Sequence, residues 1–239
     1  MAGHGGQRAA LCRPARGRPV LGAVLDAVFG NLPGYAQGFG QTLLLFVVSG
    51  VAALILGTII AMLRISPVAS ARGFATVYTE LIRNVPLPLV FAFCAFVLPY
   101  LGSRLPYLVA AFLALAVYTS PFIAEALRSG VNGVPVGQAE AARSLGLGFG
   151  QTVGLIILPQ AFRTTVPPVL NVLIALVKNT SVASGFFVAE LLTFGKQLAN
   201  ARGDAVIPVL LGIAVCYLVI TVPLGLVAGR LEKKWAIRR

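Results

Sequence analysis

Few residues in this chain could carry out covalent chemistry. His4 is the only histidine, which excludes a histidine metal site or a Ser-His-Asp triad within the chain. The seven acidic residues are scattered singly, so no pair is placed for general acid and base catalysis. Cys12, Cys94 and Cys216 form no Cys-x-x-Cys motif and are odd in number, which excludes a disulfide framework. We therefore expect neither an enzyme activity nor a bound metal.

The charged residues instead recur as Glu-x-x-Arg pairs, whose members share one face of a helix. We interpret the first two pairs along the chain as structural anchors at a membrane boundary, and the third as part of a solvated helix. The three pairs are Glu80 with Arg83, Glu125 with Arg128, and Glu140 with Arg143.

A polar run interrupts one of the apolar segments. It consists of Lys178, Asn179, Thr180 and Ser181, and a lysine at the centre of a bilayer costs about 2.5 to 3.5 kcal/mol unless it pairs or meets water. One interpretation is that the run lines a substrate path, with Lys178 attracting a carboxylate. The other is that Lys178 pairs with Glu125 or extends to an interface.

Three neighbouring hydroxyl residues, Tyr118, Thr119 and Ser120, precede Pro121 in another apolar segment. They could face the same path, although single hydroxyls in membrane helices commonly hydrogen-bond within the bundle. We assign these residues, the polar run at 178–181 and Glu125 to a predicted substrate path.

The composition is that of an integral membrane protein. Of 239 residues, 58% are hydrophobic and 11% charged, with a mean hydropathy of +0.90, whereas soluble domains contain about 25% charged residues. The net charge of +12 is dispersed between apolar segments and the C-terminus, so it forms no contiguous basic face for nucleic acid.

Five segments are long and apolar enough to span a membrane, which takes about 20 residues. Pro121 interrupts the third of them, and Pro159, Pro167 and Pro168 punctuate the fourth. The sequence thus predicts an all-α, polytopic bundle of about five transmembrane helices with one short cytoplasmic helix. The segments are residues 41–63, 86–102, 106–127, 155–187 and 205–229.

The basic residues predict a cytoplasmic C-terminus. The outer loops then hold only Arg104, Lys196 and Arg202. The cytoplasmic side holds Arg64, Arg72, Arg83, Arg128, Arg143, Arg163, Arg230, Lys233, Lys234, Arg238 and Arg239.

Five spans place the N-terminus outside, which conflicts with four arginines between residues 8 and 18. We therefore treat residues 1–35 as a leader and amphipathic segment, and we expect translation to start near Val20 or Val24. The transmembrane domain is residues 36–235, and residues 236–239 are a basic cytoplasmic tail end.

This topology makes residues 128–163 cytoplasmic. Residues 138–145 can form about two helical turns, with Glu140 and Arg143 as neighbours, but so short a helix does not persist alone in water. It is either a solvated loop element or a helix that docks on another surface. Gly146 is placed for a left-handed C-cap.

The segment EAARSLGLGFGQTVGLIILP resembles the signature of membrane subunits of ABC importers, E-A-A, three residues, G, nine residues, I-x-L-P. Glu140, Ala141, Ala142, Gly146 and the closing I-x-L-P are all in register. YTELIRNVPLPLVFAF and ALVKNTSVAS are similar to segments of the permeases for polar amino acids. The likeness covers roughly residues 36–235 and is greatest to the glutamate-uptake permeases of actinobacteria.

The resemblance implies a permease subunit in a bacterial plasma membrane that gives alternating access to glutamate or a similar amino acid. It implies four kinds of neighbour: two ATP-binding subunits, a second permease that is identical or homologous, an extracellular solute-binding protein, and membrane lipid. The short helix would insert into a groove on the ATP-binding subunit through Glu140, Ala141, Ala142, Arg143, Leu145 and Gly146. The chain has no GxxxxGK[ST] phosphate loop, so ATP and Mg would bind the partner and no cofactor would bind this chain.

One alternative is an ion-coupled carrier or channel that needs no ATPase, with Lys178 and Glu125 as its coupling site. That alternative leaves the cytoplasmic helix without a role. A carrier would transport alone in liposomes, whereas an importer subunit would be silent without its ATPase.

Overall fold

The computed structural model describes residues 28–235. All regular structure in that range is helical. The N-terminal arginines, the proposed translation start, most of the 1–35 leader and the tail end at 236–239 lie outside the described residues.

Eight helices form the described part of the chain, and a bundle of four to five spans is confirmed by their length and composition. Four helices are long and apolar enough to span a membrane, and the bent pair of α2 with α3 meets the same criterion when it is counted as one span. The helices are α1 (Leu32–Arg64), α2 (Ala69–Asn84), α3 (Leu87–Tyr100), α4 (Tyr107–Asn132), α5 (Val136–Ser144), α6 (Phe149–Gly185), α7 (Leu191–Ala201) and α8 (Val206–Trp235).

The first span begins at Leu32 rather than at residue 41. One face of its extra turns, with Tyr35 and Gly38, packs against α7 and α8. The Tyr35 ring meets Phe194 edge-on at 5.1 Å, and its hydroxyl donates to the Val209 carbonyl at 3.3 Å. The early glycines and glutamines lower the hydropathy of this stretch, but tertiary packing keeps it helical.

The second span differs from the straight segment predicted at 86–102. Helix α2 enters first, and the chain then turns by 107° into α3. Val85 and Pro86 at the turn have extended ψ angles of 133° and 137°. The ring of Pro86 disfavours a helical conformation at Val85, and Pro86 is itself the N-cap of α3, where the backbone is not yet helical.

The predicted interruptions by proline are largely wrong. Pro121 lies inside the continuous helix α4, and Pro167 and Pro168 lie inside α6. Pro159 does not end its apolar run. It follows a π-helical segment at Thr152–Ile157 and lies in the first turn of the α-helix that continues from it. Proline lacks a backbone N–H, which costs little in a first turn.

Helix α4 lies at the centre of the bundle, between α1 and α6. Leu45, Leu115 and Leu176, one from each of these helices, are fully buried in the largest hydrophobic cluster. Gly57 allows α1 to approach α4 closely, since a Cβ there would lie 2.7 Å from the Ser120 carbonyl oxygen and 2.8 Å from Ile123. The centre of the fold is therefore fixed by backbone contact and apolar side chains.

Candidate functional site

The short helix α5 follows α4 after a three-residue connection. Ala142 is its one buried residue. Helix α5 packs against the π-helical segment Thr152–Ile157 near the start of α6. Helix α5 therefore packs against its own chain, and this contact stabilises a helix that is too short to persist alone in water.

The end of α5 is closed by a Schellman motif. Gly146 has a φ of +79°, its N–H donates to the Arg143 carbonyl at 2.9 Å, and the Leu147 N–H donates to the Ala142 carbonyl at 3.1 Å. The prediction of a left-handed cap at Gly146 is confirmed. This cap reverses the chain and fixes the direction in which α5 leaves the bundle.

Most of α5 and its surroundings face outward. Glu140, Ala141 and Arg143 are exposed, and so are the apolar side chains of Val136 (73%), Leu145 (81%) and Phe149 (83%). Large exposed apolar residues around a charged centre are typical of a protein contact surface. Among the ion pairs of residues 28–235, Glu140 and Arg143 form none with each other, so the Glu140 carboxylate is available to a partner.

A cavity of about 450 Å³ lies between α4 and α6. The structure brings three predicted path residues, Tyr118, Thr119 and Asn179, to its wall. The seven lining residues are Tyr118, Thr119, Phe122, Asn171, Val172, Ala175 and Asn179.

The remaining predicted path residues lie elsewhere. Ser120 is buried beside the Tyr78 hydroxyl at 2.8 Å. Thr180 is buried and donates to the Val177 carbonyl at 2.7 Å, whereas Lys178 is exposed and Ser181 donates to the Lys178 carbonyl at 2.7 Å. These hydroxyls bond within the bundle, as single hydroxyls in membrane helices commonly do.

Thr119 is the exception among the hydroxyls. It is 3% exposed, and its Oγ1 has no hydrogen-bond partner. A buried hydroxyl without a partner costs about 1 to 3 kcal/mol. Thr119 contributes to the cavity wall, but its Oγ1 is enclosed by protein atoms and does not face the cavity.

The carboxylate of Glu125 is held between two arginines. Arg64 at the end of α1 donates to Oε2 at 2.6 Å, and Arg128 donates to Oε1. The side chains of Arg64 and Glu125 are 14% and 26% exposed. The pair of Glu125 with Arg128 is therefore present within α4, and Arg64 joins α1 to α4 through the same carboxylate. Glu125 forms no ion pair with Lys178 among residues 28–235.

The predicted pair of Glu80 and Arg83 is not formed. Neither residue is in an ion pair among residues 28–235, and the Arg83 guanidinium instead lies over the ring of Phe122, 5.6 Å from its centroid. A cation over an aromatic face is attracted by the ring quadrupole. Arg83 therefore contacts Phe122 instead of Glu80, the partner that the sequence spacing predicts.

Sequence reasoning missed several polar positions. Asn171 lines the cavity, and Arg64 completes the cluster at Glu125. Glu190 is fully buried, and its carboxylate caps the N-terminus of α7. A lone acid in an apolar region is itself a signal of a constrained site, whereas nothing in the local sequence identifies Asn171.

Comparisons with known proteins agree with this arrangement. The model of the family described as binding-protein-dependent transport system inner membrane component matches residues 53–237. The glutamate transport system permease protein GluC of Corynebacterium glutamicum is 42% identical over 219 residues, covering 87% of this chain and 96% of the relative. The probable glutamine ABC transporter permease protein GlnM of Bacillus subtilis is 39% identical over 210 residues, covering 88% and 97%.

Among solved structures, one described as an amino acid ABC transporter with histidines superimposes with a TM-score of 0.82 at 26% identity, covering 91% of this chain and 99% of that one. These likenesses favour the importer permease over the ion-coupled carrier. The chain belongs to the family of binding-protein-dependent transport system inner membrane components.

Proposed function

We propose that the chain is the membrane-spanning subunit of an ATP-driven importer for glutamate or a similar polar amino acid. The observation that carries this proposal is the exposed helix α5, which a Schellman motif fixes on the bundle while Glu140 stays unpaired. The names of the relatives, which include glutamate and glutamine permeases, support the choice of substrate. As a permease, the chain is not itself the ATPase.

Helix α5 couples the bundle to a partner that hydrolyses ATP. Glu140 and Arg143 supply its charged contacts, Ala141 permits close approach, and Leu145 adds apolar area. Because Ala142 is buried against the chain's own α6 segment, a push on α5 would move α6. Gly146 fixes the turn through which that push is transmitted.

Substrate passes through the cavity between α4 and α6. Tyr118, Thr119 and Asn179 are the predicted path residues that line it, together with Asn171. Its volume falls at the lower end of the range of about 300 to 1,000 Å³ for small-molecule sites. Lys178 and Glu125 lie outside it, so the coupling pair that an ion-driven carrier would need is not formed.

The complete importer would contain two ATP-binding subunits that hold ATP and Mg, a second permease and an external solute-binding protein. It would lie in a bacterial plasma membrane with the C-terminus and α5 in the cytoplasm. The basic residues support this orientation, because Arg64, Arg128 and Arg143 all lie at the α5 end of the bundle.

Reconstitution tests the proposal. The chain alone in proteoliposomes should be silent, and the chain assembled with its ATP-binding subunits and binding protein should take up glutamate or glutamine only with ATP. Glu140→Arg should lower both assembly and uptake. Glu232→Arg, which reverses an exposed acid on α8, is the matched control and should leave both unchanged. Uptake by the chain alone would contradict the proposal.

A further inference from the structure

Arg83 is a cation beside one residue of the cavity wall, and it has no carboxylate partner among residues 28–235. Its guanidinium lies 5.6 Å from the centroid of Phe122, and Phe122 lines the cavity between α4 and α6. Glu80 lies one turn away on α2 but forms no ion pair with it. The arginine is exposed, so its long side chain can turn about the ring.

The other charged groups near the cavity are accounted for. Glu125 is held by Arg64 and Arg128. Lys178 is next to the lining residue Asn179, but it does not line the cavity itself. Arg83 is not a lining residue either, but its guanidinium lies against a lining side chain, the ring of Phe122.

The cavity wall itself is neutral and polar. Asn171 and Asn179 carry amide donors. Such groups can hydrogen-bond a carboxylate or an ammonium group but cannot balance a charge. A guanidinium binds a carboxylate through two parallel N–H donors, which supplies what the wall lacks.

We propose that Arg83 binds a carboxylate group of the substrate in this cavity, with Asn171 and Asn179 as its neutral partners. The inference rests on the proposed function, since it assigns a role at the same path. It reassigns Arg83 from a structural anchor to a substrate-binding residue. The carboxylate is either the α-carboxylate shared by all amino acids or the side-chain carboxylate of an acidic one.

The test measures equilibrium binding of radiolabelled L-glutamate and L-glutamine to the assembled, detergent-solubilised transporter without its external binding protein. Arg83→Gln should weaken binding by about ten-fold or more, which corresponds to loss of a charge-assisted hydrogen bond. Arg83→Lys keeps the positive charge but loses the two parallel N–H donors of the guanidinium. Its affinity should therefore fall between that of the unmodified chain and that of Arg83→Gln. Lys178→Gln is the matched control and should bind like the unmodified chain.

The two substrates separate the sources of the carboxylate. Loss of affinity for glutamate alone assigns Arg83 to the side-chain carboxylate, and equal loss for both assigns it to the α-carboxylate. The proposal is overturned if Arg83→Gln binds both normally, if Lys178→Gln gives the loss instead, or if Arg83→Lys is as weak as Arg83→Gln. Normal binding with no ATP-driven uptake by the unmodified transporter would instead refute the proposed function, because the binding measurement needs no ATP.

Discussion

Replacing Glu190 by alanine should destabilise the bundle more than any surface substitution. The side chain is fully buried, and its carboxylate accepts hydrogen bonds from the Leu192 N–H at 2.9 Å, the Thr193 N–H at 2.7 Å and the Tyr217 hydroxyl at 2.9 Å. It thereby caps α7 and ties it to α8. Removing it leaves these three donors without their acceptor, whereas the Thr193 hydroxyl, 3.2 Å from Oε1, keeps the Val188 carbonyl as an acceptor.

The magnitude follows from those donors. Loss of an N-cap costs about 0.5 to 2 kcal/mol, and each buried donor left unsatisfied costs about 1 to 3 kcal/mol. Since water can reach part of the vacated space, we expect a loss of about 3 to 5 kcal/mol in the free energy of unfolding. Glu190→Gln keeps one acceptor oxygen and should lose about half as much.

Unfolding by SDS in mixed micelles, followed by circular dichroism, measures this free energy. Thr42→Val is a useful comparison, because Thr42 accepts a hydrogen bond from the Leu191 N–H at 3.2 Å and its hydroxyl also hydrogen-bonds Tyr217 at the edge of the same cluster. Its loss should cost about 1 to 2 kcal/mol. A Glu190→Ala protein within about 0.5 kcal/mol of the unmodified chain, the usual range for surface substitutions, would refute the assignment of this cluster as an anchor.

Three further substitutions test the packing and the cap, each by the same unfolding measurement. Glu125→Ala leaves the largely buried Arg64 without its anion and should cost about 1 to 3 kcal/mol; an unchanged stability would show that the cluster is solvated. Gly57→Ala should destabilise the chain by about 1 to 3 kcal/mol because its Cβ meets backbone, whereas Gly40→Ala, which meets nothing within 4 Å, should not. Gly146→Ala, at a φ of +79°, should cost about 1 to 2 kcal/mol, and no loss would contradict the left-handed cap.

Much of the fold could be predicted because membrane spans depend on local hydropathy. The charge-free segment at 41–63 lies within α1, and the one at 205–229 lies within α8 except for its first residue. The short helix predicted around Glu140 forms α5. The limits of these elements could not be predicted, because they depend on neighbours. Turns of α1 that look too polar are held by α7, a helix for which no pattern was recognised.

The site was predictable only in part. Tyr118, Thr119 and Asn179 reach the cavity, but Ser120 and Thr180 on the same helices turn away from it. Spacing alone does not give the rotation of a helix that is apolar on all sides. The ion pair predicted from a spacing of three residues forms between Glu125 and Arg128 but not between Glu80 and Arg83. Arg83 instead contacts Phe122, which belongs to another helix.

Cross-linking from position 140 tests the central claim most directly. A Glu140→Cys chain, carrying a short thiol-reactive cross-linker and assembled with its ATP-binding subunits in membrane vesicles, should form a covalent adduct with an ATP-binding subunit. The yield should change on addition of ATP, because the account has α5 move with the nucleotide state. Labelling of position 140 by a membrane-impermeant thiol reagent applied to the outside of intact cells, with no adduct to the ATP-binding subunit, would contradict it.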